Sequence, residues 1–495
     1  MKAHAARGER GMAIQAYDRC RAVLTDLLDA APSAETQKLL AEIRGPSGSR
    51  MPLRPPAPPP PPSVERPEPP VLLESRAATS RGGSHVGVMP LKLVGTDEED
   101  AHLAPGLAEE ITTALCGFRW MFVVSSTSLA RFADETRDED AIRRAFGLDF
   151  LVDGTIQRVR GRLRITIRLL DLRAGGQVVW ARRFDRLSHD LLSLQDEIAG
   201  EVVAQIDPEI LLIEARRVAV RPAAVDATAY DLVLRAVPLM NRMERAPFMQ
   251  AGQHLRRAIE LEPDYAAAQA WYAYWHVFLV GQGWTDAPDR DMAEAGRLAD
   301  RAVQLDPFDA RALSMAGHVR AFLHREVFEA ATLHERALSL NPNLAMAWAL
   351  SAITHAYMGD VDEAERRNLR YKRLSPLDPG AFMFDGFFTI IHLLKRDFES
   401  AIAAGRAATQ MNPSLSAGFK PYLAALGHLG RKQEATVALR RLLAIEPEFT
   451  VRRFLATAPF ARESDRELYA EGLRLAGVPQ IAAQPELLRA ERLQA

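Results

Sequence analysis

Residues 330–376 read AATLHERALSLNPNLAMAWALSAITHAYMGDVDEAERRNLRYKRLSP. Ala330 precedes Pro342 by twelve residues, and Ala364 precedes Pro376 by the same twelve. The pairing recurs outward on both sides, as Ala251 with Pro263, Ala295 with Pro307, Ala401 with Pro413 and Ala435 with Pro447. Successive prolines stand 44, 35, 34, 37 and 34 residues apart, a period near 34 with two insertions. A fixed period of that size marks a solenoid built of helix pairs. Proline cannot continue a helix and pushes the preceding residue out of the helical region, so the second helix of each unit ends there. A small alanine early in that helix lets it pack closely on the first. Ala258, Ala302, Ala337 and Ala408 extend the small-residue face two turns further, where Tyr371 and Leu442 depart from it. The array is expected from about Tyr230 to Phe449, with domain limits at 226–449.

The unit endings Leu261-Glu262-Pro263, Leu305-Asp306-Pro307, Leu340-Asn341-Pro342 and Ile445-Glu446-Pro447 resemble those of the tetratricopeptide repeat family. Trp348, Gly359 and Ala364 match its aromatic, glycine and alanine positions, whereas Arg325 and Arg396 stand where glycine is common. Six repeats are expected, then capping helices over 450–495, with a polar one near Arg462 to Ala476. The resemblance implies a protein-binding scaffold. In that family the first helices of successive repeats form the concave face. On that mapping Arg320, His355 and Lys420, with Trp284 from the insertion, are candidate partner contacts.

A chain of 495 residues is too long for one core, and two to four domains are expected. Hydrophobic content of 48% beside 25% charge is ordinary for a globular protein. The formal net charge of −2 excludes bulk attraction to nucleic acid or anionic membrane. Cys20 and Cys116 are too few for a disulfide framework or a metal site. No apolar run reaches bilayer-spanning length and no signal peptide is evident, so no membrane association and a cytoplasmic location are expected.

Residues 1–45 read as a helical pair, with Ala13, Ile14, Tyr17, Cys20, Val23 and Leu24 at helical spacing and Ser33 as a cap. Tyr17-x-x-Cys20-Arg21 and Pro32-Ser33-x-Glu35-Thr36 resemble the last helices of the bacterial transcriptional activation domain. In that family a winged-helix DNA-binding domain normally comes first. Only a few residues precede the match here, so direct DNA binding is not expected of this chain unless its true start lies upstream. Residues 46–84 form a linker whose proline-rich core favours stiff, extended polyproline II.

Residues 85–218 alternate strand and helix patterns. Strands are expected at Val86–Leu91, Trp120–Val124, Phe150–Arg160, Arg162–Leu172 and Gln177–Asp185, with helices at Leu103–Phe118, Asp138–Phe146 and Leu191–Ala215. Parallel strands joined by helices, then a meander, predict a mixed sheet with helices packed on it. The words VGVMPL, GLDFLVDGTIQRVRGRLRITIRLLDLRAGGQVVWARRFDR and LLSLQDEIAGEVVAQIDPEI resemble the TolB-like domain. That resemblance implies a sensory or interaction module. The fold expected for the whole is therefore multidomain: a short helical segment, an α/β domain and an all-α repeat solenoid.

Arg158, Arg160, Arg162, Arg164 and Arg168 form a basic patch beside Gly161, and in the strand after it Arg162, Arg164 and Arg168 alternate with Leu163, Ile165, Ile167 and Leu169, which puts them on the face opposite the core. A phosphate-binding reading lacks interleaved aromatics, and a solvated face is preferred. His254, His276, His318, His334, His355 and His392 lack metal-ligand spacing. Ser125-Ser126-Thr127-Ser128 lacks the glycines of a nucleophile elbow, Gly281-x-Gly283 lacks the third glycine of a dinucleotide loop, and no phosphate-binding Gly-Lys-Ser/Thr loop exists. No catalytic, cofactor or metal residues are expected. Trp271, Tyr272, Tyr274, Trp275 and Trp284 are expected to be mostly core. The expected function is transcription-linked signalling without catalysis, through protein partners on the repeats. The alternatives are a pure assembly scaffold and a regulatory module of a nucleotide cyclase.

Overall fold

A computed structural model describes residues 82–95, 103–133, 138–159, 162–187, 191–221 and 227–481, together with Tyr17, 36–38 and Leu40. The chain divides into two compact units, Met1–Leu73 and Glu74–Ala495. In the first, Tyr17, 36–38 and Leu40 are helical, and Tyr17 and Leu40 are buried. The rest of the expected helical pair, Cys20, the proline-rich linker and the tail beyond 481 lie outside the described residues.

The second unit opens with a six-stranded mixed sheet. Its strands are β1 (Ser84–Val88), β2 (Lys92–Val94), β3 (Met121–Val124), β4 (Phe150–Val159), β5 (Arg162–Asp171) and β6 (Gln177–Leu187). The order is β3-β1-β4-β5-β6, with β2 also pairing with β4. β1 is parallel to both neighbours, with Val86 opposite Val123 on one side and Phe150 on the other. β4, β5 and β6 form the expected antiparallel meander. The strand read over Val86–Leu91 starts earlier and ends at Val88, because the chain then breaks to form the short β2. Helices α1 (Leu103–Cys116) and α4 (Leu191–Val220) cover one sheet face; α2 (Ser126–Leu129) and α3 (Glu139–Phe146) lie by the other. Period-two alternation supplies both cores: Val86, Val88, Phe150, Val152 and Ile156 meet Leu107, Ile111, Val202 and Ile206, while Leu148, Leu151 and Leu170 meet Leu129 and Ile142.

The arginine-rich strand face is neutralised across the ladder. Arg168 pairs with Asp153 through two hydrogen bonds of 2.9 and 2.7 Å, and Arg164 with Asp185 at 2.9 Å. Both pairs join residues directly opposite one another in register, the arrangement in which cross-strand charges attract. Ser125 caps α2, its hydroxyl accepting the Ser128 N–H.

Six helical hairpins follow. They are α5 (Ala229–Asn241) with α6 (Arg245–Leu261), α7 (Ala266–Gly281) with α8 (Pro288–Leu305), and α9 (Ala310–His318) with α10 (Val327–Leu340). Next come α11 (Ala345–Met358) with α12 (Val361–Leu374), the broken helix α13 (Ala381–Phe384) and α14 (Phe387–Leu394) with α15 (Phe398–Met411), and α16 (Ser416–His428) with α17 (Lys432–Ile445). Helices α18 (Val451–Thr457) and α19 (Glu463–Leu475) cap the end. Each residue before a repeat proline leaves the helix in one conformation, with φ between −129° and −142° and ψ between 76° and 95°. That uniformity is the steric effect of proline on its predecessor. The six seam alanines, Ala251, Ala295, Ala330, Ala364, Ala401 and Ala435, are at most 1% exposed. Tyr371 and Leu442 fill the second seam position fully buried, so the helices there are spaced by larger side chains.

The sheet and the repeats share a core. Ala310, Leu313, Ala337, Leu338, Leu344 and Ala347 belong to the same apolar cluster as α1 and α4. At this junction the Asp207 carboxylate receives two hydrogen bonds of 2.7 Å from Arg311 and one of 2.8 Å from the Trp120 indole. Asn341 uses its side chain twice: Oδ1 accepts the Asn343 N–H, and Nδ2 donates to Gly117 O. An asparagine before the repeat proline thus shapes the turn and ties the array to the sheet.

Candidate ligand-binding cavity

Twisting successive hairpins brings the second back against the sixth. Gln282, directly after α7, is 1% exposed. Its Nε2 donates to Ser414 O at 2.8 Å and its Oε1 accepts the Ser416 N–H at 2.7 Å. Lys420 adds a hydrogen bond to Gly281 O at 3.2 Å and an ion pair to Glu446 at 2.8 Å, with its ammonium 4.9 Å from the Phe449 ring centroid. One hairpin earlier on each side, Asn412 Nδ2 donates to Asn241 O at 3.3 Å. Buried amides satisfied on both atoms make such a contact specific, since a shifted register would orphan them.

This closure surrounds a cavity of about 370 Å³. Its walls come from α7, α9, α13, α14, α16 and the capping segment, with Phe278, Phe322, Phe382, Phe387, Phe449 and Phe454 among the lining residues. A wider π turn, Val319–His324, continues α9 and carries Phe322 and Leu323 into the wall. The turn ends at Arg325 in the left-handed region, φ 62°, and Arg325 donates to Ala456 O in the cap at 2.9 Å. His318 also lines the cavity, 5% exposed, stacked on Phe322 at 5.8 Å, and its Nδ1 has no hydrogen-bond partner. Burial lowers its pKa to about 4, so the ring is neutral at neutral pH.

The cap is seated by close backbone approach. A Cβ at Gly427 in α16 would stand 1.9 Å from Gly472 O in α19, and one at Gly472 would stand 2.4 Å from Ala424 O. Glycine at both positions is what allows the two helices to touch.

Of the candidate contacts read from the sequence, Lys420 lines this cavity. Arg320 turns to its own hairpins, paired with Asp300 at 2.6 Å and Glu326 at 2.9 Å. His355 is largely buried between Glu335 and Asp360, 3.9 and 3.6 Å away. Trp284 packs edge-on to Phe248 at 5.0 Å and lines an open groove of about 930 Å³ between α6, α7 and α8, which meets the cavity at Thr285. Trp271, Tyr272, Tyr274 and Trp275 are buried, as expected of core aromatics. His276, Asp291, Arg256, Arg297 and Glu294 flank the outer groove. Burial lowers the His276 pKa to about 4 against the opposing pull of Asp291.

Sequence reasoning missed Gln282, His318 and Glu446. The long 44-residue interval between Pro263 and Pro307 is the one signal for Gln282, since the inserted segment carries it. Nothing local marks His318. Among the described residues, no group of His, Cys, Asp and Glu is placed to hold a metal ion, and no helix is long and apolar enough to cross a membrane.

Residues 1–44 match the bacterial transcriptional activator domain. A Rhizobium meliloti (strain 1021) protein named "Putative adenylate cyclase 3" is 28% identical over 239 residues, covering 48% of this chain and 39% of that protein. The chain thus spans about two-fifths of that curated relative's length. Among solved structures, a tetratricopeptide repeat protein from Parabacteroides merdae is 12% identical, with a TM-score of 0.29, covering 53% of this chain and 96% of that one. The human IFIT1 dimer is 13% identical, with a TM-score of 0.39, covering 61% of this chain and 71% of that one.

Proposed function

We propose that the chain is a non-enzymatic, transcription-linked signalling protein whose repeat array docks a protein partner. The reading joins the activator-domain match of residues 1–44 to a six-hairpin array. The observation that carries it is the open groove of about 930 Å³ beside Trp284, edged by Arg256, Arg290, Arg297 and Glu294. A half-buried tryptophan within a rim of mixed charge is the composition of a protein-binding hot spot. The sheet domain is taken as TolB-like on its sequence words, a sensory or interaction module placed against the repeats.

The test is a host strain deleted for this chain and complemented with wild type or Trp284→Ala. Wild type restores the transcript profile and Trp284→Ala does not. Full restoration by Trp284→Ala removes the docking reading, and an unchanged profile on deletion removes the transcriptional one.

The Rhizobium relative's name favours a second reading, a regulatory module of a nucleotide cyclase. In that case deletion shifts cellular cyclic AMP while the transcript profile stays constant. Purified chain given ATP and magnesium is expected to form no cyclic AMP under either reading.

A further inference from the structure

We infer that the cavity lined by the repeat array is an effector site for an uncharged, predominantly apolar small molecule. The inference does not rest on the docking groove between α6, α7 and α8, which borders the cavity at Thr285.

Volume sets the scale. A cavity of about 370 Å³ falls within the range of small-molecule sites and far exceeds that of a single water. Its aromatic walls offer water few partners, so an apolar occupant gains dispersion contacts that water does not supply.

Charge then selects the class of ligand. Within the lining, Lys420 is already engaged by Gly281 O, Glu446 and the Phe449 ring, and Glu446 is held by Lys420. Arg325 is committed to Ala456 O and Arg453 to Glu448. Asp289 and Arg325 sit at the exposed rim. Away from that rim, a carboxylate or ammonium on the ligand would meet only charges already paired with one another and would carry most of its desolvation cost. His318 is the polar group left over: buried, neutral and unpartnered at Nδ1, on the wall formed by the π turn. π turns recur at functional sites, where they re-aim side chains.

Two fluorescent probes of nearly the same shape separate the possibilities: neutral phenylnaphthylamine and its anionic relative anilinonaphthalene sulfonate. With the full chain, phenylnaphthylamine is expected to bind saturably at one site, at least tenfold more tightly than the sulfonate, and to raise the melting temperature. Ala417→Phe projects a ring into the cavity from a position on its wall that tolerates a larger side chain. It is expected to abolish binding while its circular dichroism and cooperative unfolding match wild type. Binding by Ala417→Phe equal to wild type would overturn the proposal, because the probe then sits elsewhere. Equal or tighter binding of the sulfonate would overturn the uncharged ligand class, and the absence of saturable binding would overturn the site.

Discussion

Gln282 and Ser416 are 134 residues apart, yet the Gln282 side-chain oxygen accepts the Ser416 backbone N–H at 2.7 Å in a fully buried contact. The same amide donates to Ser414 O, so one side chain closes the array through two backbone groups.

Replacing Gln282 with Leu keeps the volume but orphans a buried N–H and a buried carbonyl. Each such group costs about 1–3 kcal/mol, so a loss of about 2–6 kcal/mol is expected in urea unfolding. Hydrogen exchange at the Ser416 amide should accelerate far more than exchange in the sheet. Unchanged protection at Ser416 would refute the closure.

Arg311→Ala leaves Asp207 buried with the hydrogen bond from the Trp120 indole. Breaking a buried pair from one side costs about 3–5 kcal/mol. Asp207→Asn in the same background removes the stranded charge and should recover part of that loss. A double-mutant cycle with no coupling between the two positions would show that the pair does not bind sheet to repeats.

Arg396 occupies the left-handed region at φ 60°, where a side chain costs about 1 kcal/mol relative to glycine. Arg396→Gly is expected to raise the melting temperature by a few degrees. Arg325→Gly relieves the same strain at φ 62° but loses the bond to Ala456 O, so its gain should be smaller. Equal gains would mean that the bond to the cap contributes nothing.

His318 favours its neutral form when folded, with a pKa lowered from 6.5 to about 4. Between those values the unfolded chain binds the extra proton, so stability rises with pH across that window and is level above 6.5. Acidification from pH 6.5 to 4 should therefore cost about 3 kcal/mol through this residue. Asp378, raised to about 6 chiefly by burial, acts in the opposite sense, stabilising the fold most at low pH. His318→Phe should flatten the acid-side loss measured by denaturant midpoints at several pH values. An unchanged slope would mean that the ring is hydrated.

The sequence by itself determined the units of this protein. Proline at a fixed interval ends each second helix because its ring excludes helical geometry at the preceding residue, and all six positions obey. Alanine twelve residues earlier sets the seam within each pair. The alternation of Leu163, Ile165, Ile167 and Leu169 with arginines oriented β5 in the sheet. All of these are rules that act within one element or between adjacent ones. Only the tertiary structure decided how six such units add up. Small rotations between neighbours accumulate along a solenoid, and here they bring Gln282 onto Ser416 and Lys420 onto Gly281, which no local pattern encodes. The same accumulation assigned Lys420 to the central cavity, Trp284 to the outer groove, and Arg320 and His355 to neighbouring hairpins. It also set His318 in the wall of that cavity, because position on the array depends on the sum of its turns.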